Sequence, residues 1–288
     1  MSSDNFTLSA SHQQFVADLK KKNRSTATIL AYTKDVDQLI QFIKKQKILN
    51  PSQLTNQHIE DFKTNLTKQN YTPKSVSRKL NSIKTFCRFL VFQGSIKTSP
   101  AASVAHPKYE IKPPRILTKM EYRALRDACR TDIRIYAIVE LLLQTGIRIG
   151  ELANLQLEDI DNDKLTVQPY ESHSDRQVPL NKAAQQVLTD YFKIRPKTKN
   201  KNVFITKNGK PFLIRNIRTA IDRYFKLADI KNAKVNDLRH TFIAHQLQSG
   251  TPLTLISQLV GHKRLSTTEK YLEIVKKKSS PPTTLQEL

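Results

Sequence analysis

Four side chains in the second half of the sequence are of types that could act on a phosphodiester. Arg148 lies in TGIRIGEL and Arg239 lies in LRHTFIAH, while His262 and Tyr271 lie in LVGHKRLSTTEKY. A phosphodiester under attack gathers negative charge on its non-bridging oxygens, and two guanidinium forks with an imidazole donor can stabilise that charge without a metal. A phenol can serve as the covalent nucleophile. These residue types are therefore compatible with nucleophilic chemistry at a phosphate.

Glu151 follows Arg148 by three positions, on the expected first turn of a helix. A carboxylate at that position can orient a guanidinium whose forked donors face a phosphate. The same spacing also occurs in Arg–Glu pairs on helix surfaces, which are common. Taken alone, the pattern favours the local surface pair, so the orienting role of Glu151 depends on the other fragments.

The other fragments also have structural interpretations when each is taken alone. Arg239 and His240 could form a pair on a helix surface. His262 could be a histidine at a helix end, and Tyr271 could be a half-buried aromatic side chain. Only their combination indicates a shared function.

Together, in their order and spacing, the three fragments resemble the tyrosine recombinase (phage integrase) family, and among its members the Xer-type and transposon-resolvase recombinases. Nine positions separate His262 from Tyr271, and 23 separate Arg239 from His262. The resemblance implies that Tyr271 attacks the scissile phosphate, giving a 3′-phosphotyrosyl link and a free 5′-hydroxyl, with Arg148, Arg239 and His262 as further catalytic residues. Because the covalent bond stores the phosphodiester energy, it also implies strand exchange without ATP or a cofactor.

Two positions depart from the family pattern. The family usually carries a lysine in the turn between two strands, as general acid for the leaving hydroxyl. The matching position here is Glu171, and residues 168–177 contain no lysine. Asn236 stands three residues before Arg239, where the family mostly has histidine or lysine. Asparagine can hydrogen-bond a phosphate but cannot shuttle a proton.

The departures need not abolish activity. General acid or base catalysis contributes about 10²–10⁴-fold to a rate, so its loss slows turnover without removing phosphate recognition. We therefore expect an active enzyme in which another group supplies the proton, either His173 in the same turn or a lysine from elsewhere in the chain.

A metal site is not indicated by the sequence. Asp159, Asp161 and Asp163 imitate the start of a calcium loop, but the sixth position is Lys164 and the twelfth is Tyr170, where glycine and glutamate are required. A glycine-rich phosphate loop with a following Lys-Ser or Lys-Thr is also missing from the sequence. We therefore expect neither a metal nor a nucleotide cofactor.

Two other functions share part of the pattern. A DNA-binding protein that has lost catalysis, acting as a partner or regulator of recombination, is favoured by Glu171 and Asn236 but opposed by Tyr271 and the two arginines. A type IB topoisomerase would share the chemistry. The short chain and its helical N-terminal part favour recombination over topoisomerase activity.

The charge of the chain agrees with a nucleic-acid partner. The 288 residues include 48 Lys plus Arg against 25 Asp plus Glu, a net charge of +23, with +10 in residues 1–110 and +13 in the remainder. Lysines and arginines that neutralise phosphates release counterions, which favours binding to a polyanion. By charge alone the chain could also be a plain soluble basic protein, but two basic halves could close around one duplex.

Other classes of protein are disfavoured. Cys87 and Cys129 are far apart and form no CxxC pair, which argues against a disulfide scaffold or a thiolate zinc site. The most apolar stretch, residues 135–143, is short and contains Glu140, and the N-terminus lacks the pattern of a secretory signal. We expect a cytoplasmic protein with no membrane partner.

Helical periodicity extends through the first hundred residues. Helices are predicted from a Ser25 N-cap, from Thr55, and from Thr72 with Pro73 at the first helical position. On the third helix an apolar stripe stands opposite a basic face, and that face consists of Lys74, Lys79, Lys84 and Arg88. Such a face is either solvated or laid along phosphates.

Prolines between residues 99 and 114 interrupt the periodicity and mark a connector. We therefore predict an N-terminal helical DNA-binding domain in residues 1–105, a linker in 106–116 and a catalytic domain in 117–288. The fold class is mainly α with a small β-sheet, in which an all-α N-terminal domain precedes an α+β catalytic domain.

Local signals place the elements of the second domain. Thr118 and Glu121 form a capping box, residues 135–143 predict a buried helix, and strands are expected around residues 165–180. Gly261 suits the end of one helix, and Ser266 with Glu269 would cap the next.

The resemblance also implies an assembly. Recombinases of this type work as tetramers on two DNA sites, which predicts double-stranded DNA with paired inverted recognition sites and a homo-tetramer. The segment after Tyr271, through to Leu288, could pass to a neighbouring protomer, although its Lys-Ser-Pro content equally suits a disordered tail. The sequence gives neither the target site nor any helper protein.

Overall fold

The computed structural model describes residues 7–170 and 173–278, with side chains up to Val275. The chain divides into two compact units, Met1–Ile111 and Lys112–Leu288. This division falls inside residues 106–116, where the prolines predict a linker, and the finer domain limits stay a prediction.

The described part of the N-terminal unit is built of four α-helices, which are α1 (Leu8–Lys21), α2 (Thr26–Lys44), α3 (Asn56–Lys68) and α4 (Pro73–Phe92). The predicted caps are confirmed, because Ser25, Thr55 and Thr72 each accept a hydrogen bond from a backbone N–H in the following turn. The apolar stripes of the helices meet in one core that includes Phe62 and Phe86.

One prediction for this unit is wrong. Lys79 does not belong to an exposed basic face, since its side chain is only 6% exposed. Its Nζ donates to Oδ1 of Asp35 at 2.9 Å and to Oε1 of Gln38 at 2.7 Å. Asp35, which is also buried, accepts further hydrogen bonds from Arg78 and Ser82. A buried carboxylate is stable when it is paired with a cation, and Lys79 on α4 provides that cation for Asp35 on α2.

The second unit is mainly helical, and its small sheet confirms the predicted fold class. Its described helices are α5 (Lys119–Cys129), α6 (Ile133–Thr145), α7 (Ile149–Asn154), α8 (Lys182–Ile194), α9 (Ile214–Leu227), α10 (Val235–Gln248), α11 (Leu253–Val260) and α12 (Ser266–Lys278). Strands β1 (Lys164–Val167) and β2 (Arg176–Pro179) pair antiparallel, with Leu165 opposite Val178.

The apolar helix α6 lies in the core of this unit, as the sequence predicts, and packs against α8 and α10. It ends at Gly146 in the left-handed conformation, with φ of +63°. A Cβ atom at Gly146 would lie 2.3 Å from the Phe242 ring on α10. The glycine therefore allows both the turn and the close packing that bring the chain to Arg148.

The α11–α12 loop positions two of the predicted site residues. Gly261 ends α11 with φ of +66°, which confirms its predicted position. Helix α12 begins at Ser266 itself, because the backbone N–H groups of Thr268 and Glu269 donate to the carbonyl of Leu265. The predicted Ser266 cap is therefore wrong by one residue.

The segment proposed to reach a neighbouring protomer lies partly outside the described residues, which end at residue 278. Among the helices that the structure describes, none is long and apolar enough to cross a membrane.

Candidate active site

Arg148 precedes α7 and is fixed by a carboxylate and by backbone carbonyls. Its backbone N–H and its Nη1 donate to Oε2 and Oε1 of Glu151, at 2.8 and 2.9 Å. Its Nη1 and Nη2 also donate to the carbonyls of Val260 at 3.3 Å and Gly261 at 2.8 Å. The Glu151 side chain is only 1% exposed. The alternative of a local surface pair is therefore wrong.

Arg176, at the start of β2, is a site residue that sequence reasoning missed. Its Nη1 and Nη2 donate to the two carboxylate oxygens of Glu151 at 3.0 and 2.7 Å, and its Nε donates to the Leu259 carbonyl at 2.6 Å. Two parallel donors to one carboxylate are the strong geometry for this pair. An arginine at the start of a strand belongs to no short motif, so the sequence carries only a weak signal for it.

Glu151 remains ionised between the two guanidinium groups. Burial alone would raise its pKa, but hydrogen bonds from Arg176 and from the backbone of Arg148 lower it to about 2. The three side chains therefore carry one net positive charge, which is held in a fixed orientation.

Arg239 lies within α10 and is buried, with 8% of the residue exposed. Its Nη1 donates to the Gly146 carbonyl and its Nη2 donates to the Val260 carbonyl, both at 2.5 Å. Burial and the neighbouring Arg148 lower its pKa to about 9, so it remains protonated at neutral pH. A surface pair between Arg239 and His240 is therefore wrong.

Tyr271 is buried and has a close partner on α10. The residue is 4% exposed, and its hydroxyl oxygen lies 2.6 Å from Nδ1 of His240. Burial raises the pKa of Tyr271 to about 12, although the nearby Arg239 acts in the opposite direction. Burial lowers the pKa of His240, and Arg239 adds to this shift while Asp237 opposes it. A neutral imidazole therefore faces the phenol at pH 7.

His262 stands beside the same tyrosine. The rings of His262 and Tyr271 are stacked, with centroids 6.5 Å apart. Its Nδ1 lies 2.8 Å from the hydroxyl oxygen of Thr268, which is fully buried. Burial lowers the pKa of His262 to about 4, and the charges of Arg239 and Arg148 contribute.

Residues 173–176, which lead into and begin β2, border a cleft of about 410 Å³ beside these groups. His173, Arg176, His262 and Lys263 are among the residues that line it. Burial lowers the pKa of His173, and Arg148 is the next cause. The structure thus brings His173 to the site, where its role as a substitute proton donor stays a prediction.

The two family positions that depart from the pattern are less informative. Glu171 lies outside the described residues. Asn236 is exposed on the first turn of α10, three positions before Arg239. Its predicted contact with a phosphate stays a prediction.

The site as a whole is suited to an anion. The guanidinium groups of Arg148, Arg176 and Arg239 meet at the C-terminal end of α11, next to His262. Glu151 offsets only one of the three positive charges, and the remaining positive charge attracts a phosphate. Within the described residues, His, Cys, Asp and Glu side chains form no group of three that could hold a metal ion.

Comparisons with known proteins agree with this geometry. The phage integrase family profile matches residues 115–278, and the profile of the phage integrase N-terminal SAM-like domain matches residues 12–94. A tyrosine recombinase XerC of Staphylococcus haemolyticus (strain JCSC1435) is 31% identical over 263 residues, which cover 88% of each chain. The chain belongs to the phage integrase family, as the motifs predict. Membership favours the predicted site-specific recombinase over the catalytically impaired DNA-binding partner.

Solved structures share the fold. A lambda integrase dimer bound to a COC′ core site superposes with a TM-score of 0.79 at 15% identity, covering 97% of this chain and 81% of that chain. A lambda integrase tetramer bound to a Holliday junction gives a TM-score of 0.76 at 18% identity, covering 91% and 79%. At these identities the likeness concerns the fold.

Proposed function

We propose that this recombinase cleaves and rejoins DNA strands through a 3′-phosphotyrosyl link to Tyr271. The observation that carries the proposal is that Arg148 and Arg239 both donate to the Val260 carbonyl at the end of α11, two residues before His262, whose ring stacks on that of Tyr271. Charge stabilisation and a covalent nucleophile are thus available in one place.

Arg148 and Arg239 are proposed to hold the non-bridging oxygens of the scissile phosphate. A guanidinium has five N–H donors. The hydrogen bonds to described residues use at most three donors of Arg148 and two of Arg239. At least two donors of each remain for the phosphate, and Glu151 fixes the orientation of Arg148.

His262 is proposed to add a neutral donor. If the Thr268 hydroxyl donates to Nδ1, the ring proton lies on Nε2. A neutral imidazole in this form can donate one hydrogen bond to a phosphate oxygen. The low pKa of His262, about 4, keeps it neutral in the free protein.

In the proposed cleavage step, the Tyr271 oxygen forms a bond to phosphorus while the bond between phosphorus and the 5′-oxygen breaks. The phenol proton passes to Nδ1 of His240, which already lies 2.6 Å from the hydroxyl oxygen. In rejoining, the free 5′-hydroxyl of the partner strand attacks the phosphorus of the phosphotyrosyl link. The Tyr271 oxygen leaves and takes its proton back from His240.

The proposed partner is duplex DNA with paired inverted sites, bound in the cytoplasm by a homo-tetramer on two sites. The excess positive charge of both parts of the chain, +10 and +13, supports contacts from both units to one duplex. A tetramer of an integrase with this fold on a Holliday junction supports the assembly.

The test begins with selection of a bound site from random duplexes, followed by footprinting. The selected duplex is then made as a suicide substrate with a nick a few nucleotides 3′ of the scissile phosphate. After cleavage the short 3′-side fragment, which carries the free 5′-hydroxyl, diffuses away and the adduct is trapped. A label on the strand segment 5′ of the scissile phosphate should stay with the protein, because this segment ends in the 3′-phosphate that is linked to Tyr271. Tyr271→Phe should give no adduct.

Tyr109→Phe is the matched control, since Tyr109 is 42% exposed and lies outside the proposed site. It should form the adduct at the wild-type rate. Adduct formation by Tyr271→Phe, or adduct with the label on the 3′ side, contradicts the proposal.

A further inference from the structure

The proposed cleavage needs a proton at the leaving 5′-oxygen. An alkoxide is a poor leaving group, and a positioned acid raises the rate of such a step. Residues 168–177, which include the turn between β1 and β2, contain no lysine to act as this acid.

One lysine lines the cleft from a different element. Lys263 directly follows His262 in the α11–α12 loop, is exposed, and lines the same cleft of about 410 Å³ as His173 and Arg176. Its charge is near enough to lower the pKa of the His173 imidazole. Toward the residues that the structure describes, the Lys263 ammonium makes neither a hydrogen bond nor an ion pair. It is therefore available to a ligand in the cleft.

His173 is less suited to be the acid. Its pKa is lowered by burial and then by Arg148, with Lys263 and Arg176 acting in the same direction and Glu151 opposing them. At neutral pH the imidazole is therefore mainly unprotonated. A lysine ammonium, in contrast, carries three N–H protons that it can donate.

We propose that Lys263 is the general acid of cleavage, in place of the lysine that the family usually carries between the two strands. As the bond from phosphorus to the 5′-oxygen breaks, the 5′-oxygen keeps the bonding electrons and takes a proton from the Lys263 ammonium. The products are a 5′-hydroxyl and a neutral amine. In rejoining, the amine takes the proton back from the attacking 5′-hydroxyl. The inference rests on the proposed function.

Two DNA substrates distinguish a role of Lys263 as general acid from a role in binding the DNA. One carries the ordinary 5′-oxygen at the scissile phosphate, and the other carries sulfur at the same bridging position. A thiol has an ordinary pKa of about 8.5, so sulfur leaves without a proton. Adduct formation is measured in single turnover with saturating protein for wild type, Lys263→Ala, His173→Ala and Arg264→Ala. The last is a charge-matched control, because Arg264 is exposed next to Lys263 in the same loop and does not line the cleft.

The Lys263→Ala variant should attach to the oxygen substrate about 10²–10⁴-fold more slowly than wild type. It should attach to the sulfur substrate at close to the wild-type rate. Arg264→Ala should match wild type on both. A wild-type rate of Lys263→Ala on oxygen overturns the inference, as does an equal loss on both substrates, which would indicate binding or positioning. If His173→Ala, and not Lys263→Ala, attaches slowly to the oxygen substrate and normally to the sulfur substrate, the acid is His173 and the inference is overturned. If wild type attaches to neither substrate, the proposed function fails and the inference fails with it.

Discussion

The hydroxyl oxygen of Tyr271, on α12, lies 2.6 Å from Nδ1 of His240, on α10. Since burial keeps His240 neutral at pH 7, its ring can accept the phenol proton. His240→Ala should slow covalent attachment about 10²–10⁴-fold in single turnover without changing the affinity for DNA. His245→Ala, on an exposed position of the same helix, should leave the rate unchanged. Equal rates for the two variants would contradict a role for His240 in proton transfer.

The same contact predicts a pH profile. The pKa of His240 is lowered from its ordinary value of 6.5, so more than half of the imidazole is a proton acceptor at that pH. The midpoint of any loss of the wild-type attachment rate through His240 protonation should therefore lie below pH 6.5. A protonation step above pH 7 that disappears in His240→Ala would contradict the prediction.

Glu151 should stabilise the fold in a pH-dependent way. Its pKa falls from 4.5 to about 2 on folding, so its contribution is fully present above about pH 4.5 and is lost as the pH falls toward 2. The shift corresponds to about 3 kcal/mol. Glu151→Gln should lower the free energy of unfolding in urea by about that amount at pH 7, and the difference from wild type should shrink between pH 4.5 and 2.

Glu158→Gln is the control for this measurement. The Glu158 side chain is 63% exposed and pairs with Lys201 at 3.3 Å. An exposed pair of this kind contributes little, so the variant should unfold like wild type. A loss in Glu151→Gln that does not change with pH would show that packing, and not charge, determines its effect.

Alanine substitutions at two glycines with positive φ distinguish the cost of backbone strain from the cost of a steric clash with a neighbouring side chain. A Cβ at Gly261 would lie 2.9 Å from Nη1 of Arg176, whereas one at Gly250 would meet nothing within 4 Å. Arg176 cannot move aside easily, because Glu151 and a backbone carbonyl hold it. Gly250→Ala should cost about 1–2 kcal/mol from backbone strain, and Gly261→Ala about 1–3 kcal/mol more from overpacking.

Only Gly261→Ala should also slow covalent attachment, because the displaced Arg176 would disturb Glu151 and the loop that carries His262. Thermal unfolding and single-turnover attachment measure the two effects. Similar behaviour of the two variants would contradict the proposed constraint on Arg176.

The buried Lys79 should not contribute to the salt dependence of DNA binding. Lys74 and Arg88 are exposed on α4, whereas Lys79 is held by Asp35. Lys79→Ala should reduce stability, because Asp35 loses a partner, and should leave the slope of log K against log salt unchanged. If Lys74 contacts a phosphate, Lys74→Ala should reduce the magnitude of that slope by about 1. A reduced slope in Lys79→Ala at full folding would contradict this assignment.

Local signals predicted most of the fold. The caps at Ser25, Thr55 and Thr118 and the end of α11 at Gly261 follow from contacts within a few residues. Such contacts are visible in the order of residue types along the chain.

Contacts between distant positions could not be predicted in the same way. Arg176 meets Glu151 across 25 positions, and His240 meets Tyr271 across 31. The order of residue types along α10 does not show which element covers Arg239 and His240. The motifs therefore indicated Arg148, Arg239, His262 and Tyr271, and their partners became visible only in the folded chain.

The eight-residue helix α11 ends in carbonyls that water would otherwise have to satisfy. The carbonyls of Leu259, Val260 and Gly261 instead accept hydrogen bonds from three arginines, which come from β2, from α10 and from the residue before α7. A helix this short is marginal without tertiary contacts. Its last turn therefore becomes stable only when these separate elements meet, and the charges proposed to hold the phosphate are then already assembled. Completing a short helix and building the phosphate site are one folding event, so a folding intermediate with α11 fixed and the arginines dispersed should not accumulate.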